Sequence, residues 1–262
     1  MQYISSKDNN LIKETKKLKE KKYRNEKGLF IIEGFRFVEE AFKSSCHIEH
    51  ILLNETAVSK LSEYNLDSII EGVCKAYVIP DIIFKTLAST DNPQGVIAVA
   101  KVKEIGSLNY NNTYVLVDKV QDPGNLGTII RTAHAAACSG VILTKGTVDV
   151  YNEKTLRSTM GSIFNIPIIE DKDLSFVKEL KEMGYKLVCS SLDTEYNFYD
   201  INFQEKVIIS VGNEGNGLSK EVYDISDIKV KIPMPGGAES LNAAVAASIM
   251  IYEGVRQKNI KK

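Results

Sequence analysis

Short apolar runs alternate with helix-period segments along most of this chain, and that alternation constrains the fold more than any other feature. A polar, lysine-rich stretch at about 7–24 predicts a helix, and GLFIIEG after it reads as a strand. The next segment sets Phe35, Val38, Ala41 and Phe42 on one helical face. The strand IEHILL, a helix near 55–63, the short strand AYVI, the helix DIIFKTLA and the strand GVIAVAKV follow. EIGSLNYNNT is polar and reads as a linker. A second series opens on the strand TYVLVDKV and runs through a helix around 125–138 to the strand GVILT. KLVCS and KVIISV are further strands, and SLNAAVAASIMIYEGVR closes the chain as a long helix. Alternating strands and helices imply layered α/β units. The linker divides them into residues 1–104 and 113–262.

The 262 residues are enough for one large domain or two modest ones, and 44% hydrophobic with 26% charged residues is ordinary for a soluble globular protein. No apolar run approaches the ~20 residues of a membrane span. The start, MQYISSKDNNLIKETKK, lacks the apolar stretch of a secretory signal, so a cytoplasmic protein without membrane partners is expected. Cys46, Cys74, Cys138 and Cys189 lie far apart and form no C-x-x-C pair. CHIEH gathers Cys46, His47 and His50, but on a strand His47 and His50 would point to opposite faces. No metal is expected there or elsewhere.

A formal net charge of −1 argues against coating nucleic acid by overall charge. Residues 1–27, however, hold nine Lys/Arg against four Asp/Glu. Such an arm suits a phosphate backbone. A solvated helix face explains the charge equally well.

Three segments of the second half carry chemistry, each where a strand ends and a turn or helix begins, the usual ligand position in an α/β sheet. In DKVQDPGNLGTIIRTAHAAA, Asp122-Pro123-Gly124-Asn125 is turn chemistry, and Asn125 can cap the following helix. Arg131 follows among small residues, where a phosphate or a ribose would partner it; a surface ion pair is the plainer alternative. In VIISVGNEGNGLS an apolar strand ends in three glycines within six residues, with Glu214 among them. The order G-x-x-G-x-G is not the dinucleotide fingerprint, and no G-K-[ST] follows to make a phosphate loop. In KIPMPGGAESLNAAVAASIMIYE, Pro233 and Pro235 hold an irregular loop, Gly236-Gly237 turns it, and Ser240 or Glu239 can cap the last helix. Asn242 falls in that helix's first turn. Its alanines permit close packing, including packing between subunits.

Taken together and in this order, NLGTIIRTA, VGNEGNGLS and IPMPGGAESLNAAVAASI closely resemble the three motifs of the SpoU/TrmH family of RNA ribose 2′-O-methyltransferases, over about residues 113–257. KGLFIIEGFRFVEEAF is similar, more loosely, to the opening of the substrate-binding domain that precedes the catalytic domain in ribosomal-RNA members. The resemblance implies an L30e-like α/β domain followed by an α/β trefoil-knot (SPOUT) domain. It also implies a homodimer paired through the C-terminal domain, S-adenosylmethionine as cofactor, and RNA as partner, ribosomal in preference to transfer RNA. By motif position it carries catalytic roles to Asn125, Arg131, Glu214, Ser240 and Asn242, and cofactor contacts to Gly212, Ile232 and Leu241. Arginine keeps its proton at any working pH, so Arg131 is expected to bind phosphate and steady developing alkoxide charge instead of acting as a base. Three rivals are weaker: a non-catalytic RNA-binding module, a nucleotide-dependent oxidoreductase and a base methyltransferase of a related knotted family.

Overall fold

The computed structural model describes residues 1–44, 46–67, 70, 75–103, 105–106, 108–110 and 112–259. Cys74, and Glu104, Ser107 and Asn111 of the linker, lie outside the described residues. By contacts the chain forms two compact units, one of Met1–Glu104 with Tyr151–Phe164, the other of Ile105–Val150 with Asn165–Lys262. Among the described residues no helix is long and apolar enough to cross a membrane, and no group of three His, Cys, Asp or Glu could hold a metal ion.

In the first unit five strands, β1 (Gln2–Tyr3), β2 (Leu29–Glu33), β3 (Ile48–Asn54), β4 (Lys75–Ile79) and β5 (Val96–Lys101), are ordered β1-β4-β3-β5-β2. β5 runs antiparallel to both of its neighbours, and the other pairings are parallel. Ile12, Leu18, Phe84 and Leu87 cover one face over Leu52, Ile79 and Ile97. The lysine-rich segment is two helices, Asn10–Lys17 and Lys21–Lys27, in place of one. Leu18 is buried between them, and the buried Arg24 guanidinium donates at 2.8 Å to both Leu18 O and Lys19 O, carbonyls that a continuous helix would have used internally. Helix Phe35–Lys43 buries Phe35, Val38 and Ala41; Phe42 is only half-buried. Residues 151–164 belong to this unit although they sit late in the sequence. Tyr151 packs on Phe30 with ring centroids 4.8 Å apart, and Phe164 on Phe37 at 5.2 Å.

The second unit is a parallel six-stranded sheet of β6 (Tyr114–Val117), β7 (Gly140–Thr144), β8 (Ile168–Asp171), β9 (Lys186–Ser190), β10 (Val207–Val211) and β11 (Ile228–Val230). Its order is β11-β9-β10-β6-β7-β8. The inner strands are apolar runs buried on both faces, as a covered parallel sheet requires. β8 and β11, which the sequence reading lacks, are the two edges; at four and three residues they carry little periodic signal. From edge strand β11 the chain returns to the C-terminal helix, Ala243–Asn259, which packs on β10 and on helix Pro123–Ala135 at the sheet's centre. That return path is consistent with a trefoil knot. The alanines Ala243, Ala244 and Ala247 are buried within the chain's own core, so the outward face of this helix is Val245 and Tyr252, each about half exposed.

Candidate active site

The carboxyl ends of β9, β10 and β11 open onto a cavity of about 780 Å³. Ser191, Leu192 and Asp193 line it after β9, residues 212–218 after β10, and Ile232 and Met234 after β11. Ser240 and Leu241, just before the last helix, complete it. All three positions assigned to the cofactor, Gly212, Ile232 and Leu241, therefore border one space.

The loop after β10 is closed on itself. Asn213 and Gly217 exchange backbone hydrogen bonds at 2.9 Å in each direction, with Gly217 at φ 67°. Asn213 Oδ1 accepts the amides of Gly215 and Asn216 at 3.0 and 3.1 Å, and its Nδ2 donates to Lys119 O at 3.0 Å. Gly212 has no left-handed φ. Its restriction is steric: a Cβ there would lie 2.2 Å from Gly217 C and 2.3 Å from Leu218 N, inside the loop's own backbone.

Three of the five residues assigned to catalysis form one relay. Asn242 Oδ1 accepts the amides of Ala244 (2.9 Å) and Val245 (3.2 Å). Because those amides can only donate, Asn242 Nδ2 must face outward, and it donates to Asn125 Oδ1 at 2.9 Å. Asn125 Nδ2 then donates to Glu214 Oε1 at 2.7 Å. Burial raises the Glu214 pKa, but the Asn125 bond and the surrounding backbone amides outweigh it and leave the carboxyl below its usual range. The relay thus ends on an ionised carboxylate, and the second N–H of Asn125 Nδ2 bonds to none of the described residues.

Two capping assignments change. Asp122, not Asn125, caps helix Pro123–Ala135, accepting the Asn125 amide at 2.8 Å. Asn242, rather than Ser240 or Glu239, caps the last helix through the two amide bonds just described. The first change leaves Asn125's side chain to the relay, and the second turns Asn242 Nδ2 toward it. Ser240 is exposed at the cavity rim. Arg131 stands apart: it is exposed on the helix face shared with Thr128 and Ala135, and within the chain it makes no hydrogen bond or ion pair to a described residue.

Sequence reasoning missed the residues that hold the site together. Asp118, fully buried at the end of β6, accepts Ser219 N at 2.6 Å and Thr144 Oγ1 at 2.7 Å. An acid closing the apolar run YVLV was the available signal. In the amino-terminal arm, Arg24 and Lys19 serve the fold: Arg24 as above, and Lys19 Nζ by donating to Ala88 O at 2.8 Å. The rest of the arm's lysines remain exposed. His47 and His50 do not converge; His47 lies 3.4 Å from Glu49, and His50 bonds the buried Thr15 hydroxyl at 3.2 Å.

The chain is similar to known proteins over nearly its whole length. Residues 112–252 match the SpoU rRNA Methylase family, and residues 9–98 match an MRM3-like substrate binding domain. The 23S rRNA (guanosine(2553)-2′-O)-methyltransferase RlmP of Bacillus subtilis is 39% identical over 96% of this chain and 98% of its own length. The 23S rRNA (uridine(2479)-2′-O)-methyltransferase of Streptomyces viridochromogenes is 30% identical over 90% of this chain and 85% of its own. The crystal structure of an AdoMet-bound rRNA methyltransferase from Sinorhizobium meliloti superposes with a TM-score of 0.85 at 32% identity, covering 97% of both chains. With a parallel SPOUT-type sheet, a closed glycine loop after β10 and all three motifs in sequence order, the chain belongs to the SpoU rRNA methylase family.

Proposed function

We propose that the protein transfers a methyl group from S-adenosylmethionine to a ribose 2′-hydroxyl of ribosomal RNA, in the cytoplasm. The observation that carries this reading is the Asn242–Asn125–Glu214 relay at the edge of the cavity built on β9, β10 and β11. The cavity has the size of a small-molecule site. Its donor set fits a nucleoside carrying a charged amino-acid tail: apolar Leu192, Ile232 and Leu241 for a flat ring, backbone at three strand ends for polar edges, and Asp193 and Glu239 for hydroxyl or ammonium groups.

S-adenosylmethionine supplies an electrophilic methyl group. What the chain supplies is alignment, and alignment of nucleophile and methyl group can account for much of such a rate. Asn125, held from both sides, turns its second N–H to the ribose. Glu214 and Asn242 set its orientation, and Ser240 stands at the rim for a further contact. Arg131 binds the neighbouring phosphate and steadies the alkoxide, with phosphate or water accepting the proton. Its isolation within one chain supports a homodimer in which each Arg131 serves the partner's site; the exposed Val245 and Tyr252 stripe offers the pairing face. The exposed lysines of residues 1–104 supply phosphate contacts that orient the RNA without reading its sequence.

Mapping 2′-O-methylation on ribosomal and transfer RNA with and without the protein tests the proposal. A single protein-dependent ribose methyl in 23S rRNA is expected. Methylation on a base, or on transfer RNA alone, would overturn it.

A further inference from the structure

The turn after β6 holds Lys119 at φ 55°, a left-handed conformation that glycine takes freely and lysine takes only at a steric cost. Four hydrogen bonds enforce it. The Lys119 amide donates to Thr144 Oγ1 at 3.2 Å and Thr147 Oγ1 at 3.1 Å. Its carbonyl accepts from Gln121 Nε2 at 3.2 Å and from Asn213 Nδ2 at 3.0 Å. A backbone locked this way aims its side chain in one direction. The stem runs beside Gly146, where a Cβ would stand in ordinary contact with Lys119 Cγ at 3.4 Å. Strain kept at a fixed position beside a cleft points to use by a ligand.

Lys119 lines a second cavity, of about 450 Å³. This space shares Asn213, Asn216, Gly217 and Leu218 with the cavity described above, so one loop walls both. Gln121 joins it to the relay, its amide 3.5 Å from Glu214 Oε2. The polar lining is cationic and amide- or hydroxyl-bearing: Lys119, Gln121, Asn213, Asn216 and Ser219. Among the described residues no aromatic side chain lines it that could stack a base. Among the described residues Lys119 pairs with one carboxylate, Glu221, 3.7 Å away with a side chain 71% exposed, a surface contact of little worth.

We propose that this second cavity binds the RNA backbone beside the methylated nucleotide, with Lys119 paired to a phosphate. The proposal rests on the methyltransferase reading above. It accounts for a lysine where glycine would be easier: the charge, not the turn, is what the position requires.

Lys119→Gly removes the charge and relieves the backbone together, which separates the two roles. The variant should melt at the wild-type temperature or above it and bind S-adenosylmethionine normally. Its affinity for an unmodified 23S rRNA transcript should fall about three- to tenfold at low salt, and the slope of log affinity against log salt should shrink by about 0.7–1. Glu221→Gln should match wild type in both. Wild-type RNA affinity and salt slope in Lys119→Gly would overturn the assignment, as would Glu221→Gln reproducing the loss. Inorganic phosphate that protects wild type but not Lys119→Gly from heat, without any change in RNA affinity, would make the cavity a free-anion site and equally overturn it. Wild-type protein that binds the transcript but transfers no methyl group counts against the methyltransferase reading alone, and the salt slope still decides Lys119.

Discussion

Asp118 Oδ2 accepts the Ser219 amide at 2.6 Å, so a fully buried carboxylate at the end of β6 ties down the segment that leaves the loop after β10. The same carboxylate takes the Thr144 hydroxyl at 2.7 Å, joining the ends of β6 and β7 to the exit of that loop. Asp118→Ala leaves two half-buried donors, Ser219 N and Thr144 Oγ1, without their acceptor and should cost about 1–3 kcal/mol of stability. Asp118→Asn, which can still accept from Ser219, should cost less. Urea titration of both variants, with cofactor affinity measured alongside, checks the order; equal stabilities would show that the carboxylate is not what joins the strands.

Glycine substitutions in the loop after β10 should separate by position. Gly212→Ala drives a Cβ into the backbone at Gly217, forcing the loop open, and should weaken S-adenosylmethionine at least tenfold. Gly215→Ala meets only Asn213 Oδ1 at 3.7 Å and should bind almost as wild type does. Calorimetry on folded variants measures both. Cofactor affinity retained in Gly212→Ala would mean that the closed loop is dispensable.

Asn242 has two separable duties. Asn242→Asp keeps the acceptor that caps the last helix but loses the donor to Asn125, so stability should hold while single-turnover methylation falls roughly 10–100-fold. Asn242→Ala loses both and should also lower stability by about 1 kcal/mol. Unimpaired methylation by the aspartate variant would remove the relay from the mechanism.

Arg131→Ala should cut single-turnover methylation about 10²–10³-fold while cofactor affinity stays within a few-fold of wild type. Arg131→Lys should recover little, since an ammonium lacks the planar fork. Mixing Arg131→Ala with a variant defective in Asn125 tests the dimer at the same time. Restored activity in the mixture is expected if each arginine serves the other chain's site.

Burial pushes the His50 pKa down to about 4 from 6.5, with Glu49 opposing weakly. Between those values the unfolded chain binds a proton that the folded imidazole does not. Stability from this residue is therefore complete above pH 6.5, declines as the pH falls, and is gone below about pH 4. His50→Gln removes the titration. Wild type should lose on the order of 1 kcal/mol more than the variant between pH 7 and pH 5, measured by urea midpoints. Parallel losses would place the proton elsewhere.

The elements and residues legible in the sequence were those whose signal is local. Helix Phe35–Lys43 shows its buried face at Phe35, Val38 and Ala41. β6, β7, β9 and β10 are continuous apolar runs because both their faces are covered. The three motifs read plainly because each is one continuous stretch, a strand end or the turn and helix that follow it. Edge strands β8 and β11 escaped because they are short, and the break at Leu18 because Arg24 makes it from six residues away. Residues 151–164 carry no mark of the unit they join; Phe164 finds its place against Phe30 and Phe37, more than 120 positions earlier. Deleting residues 1–104 would strand that segment's apolar side chains, so the first unit is not simply the amino-terminal piece of the chain.

Sequence by itself determined the family, the α/β layering and the identity of the polar residues. Only tertiary structure decided what each does. Asn125 and Asn242 are separated by 117 positions and Asp118 and Ser219 by 101, and each pair lies within hydrogen-bond distance. Local propensity cannot encode such pairs, because they exist only once the parallel sheet brings its strand ends together and the last helix returns against β10. Gly212 shows the same division: its lack of a side chain is written in the sequence, but the backbone that forbids one is five residues on and meets it only in the folded loop.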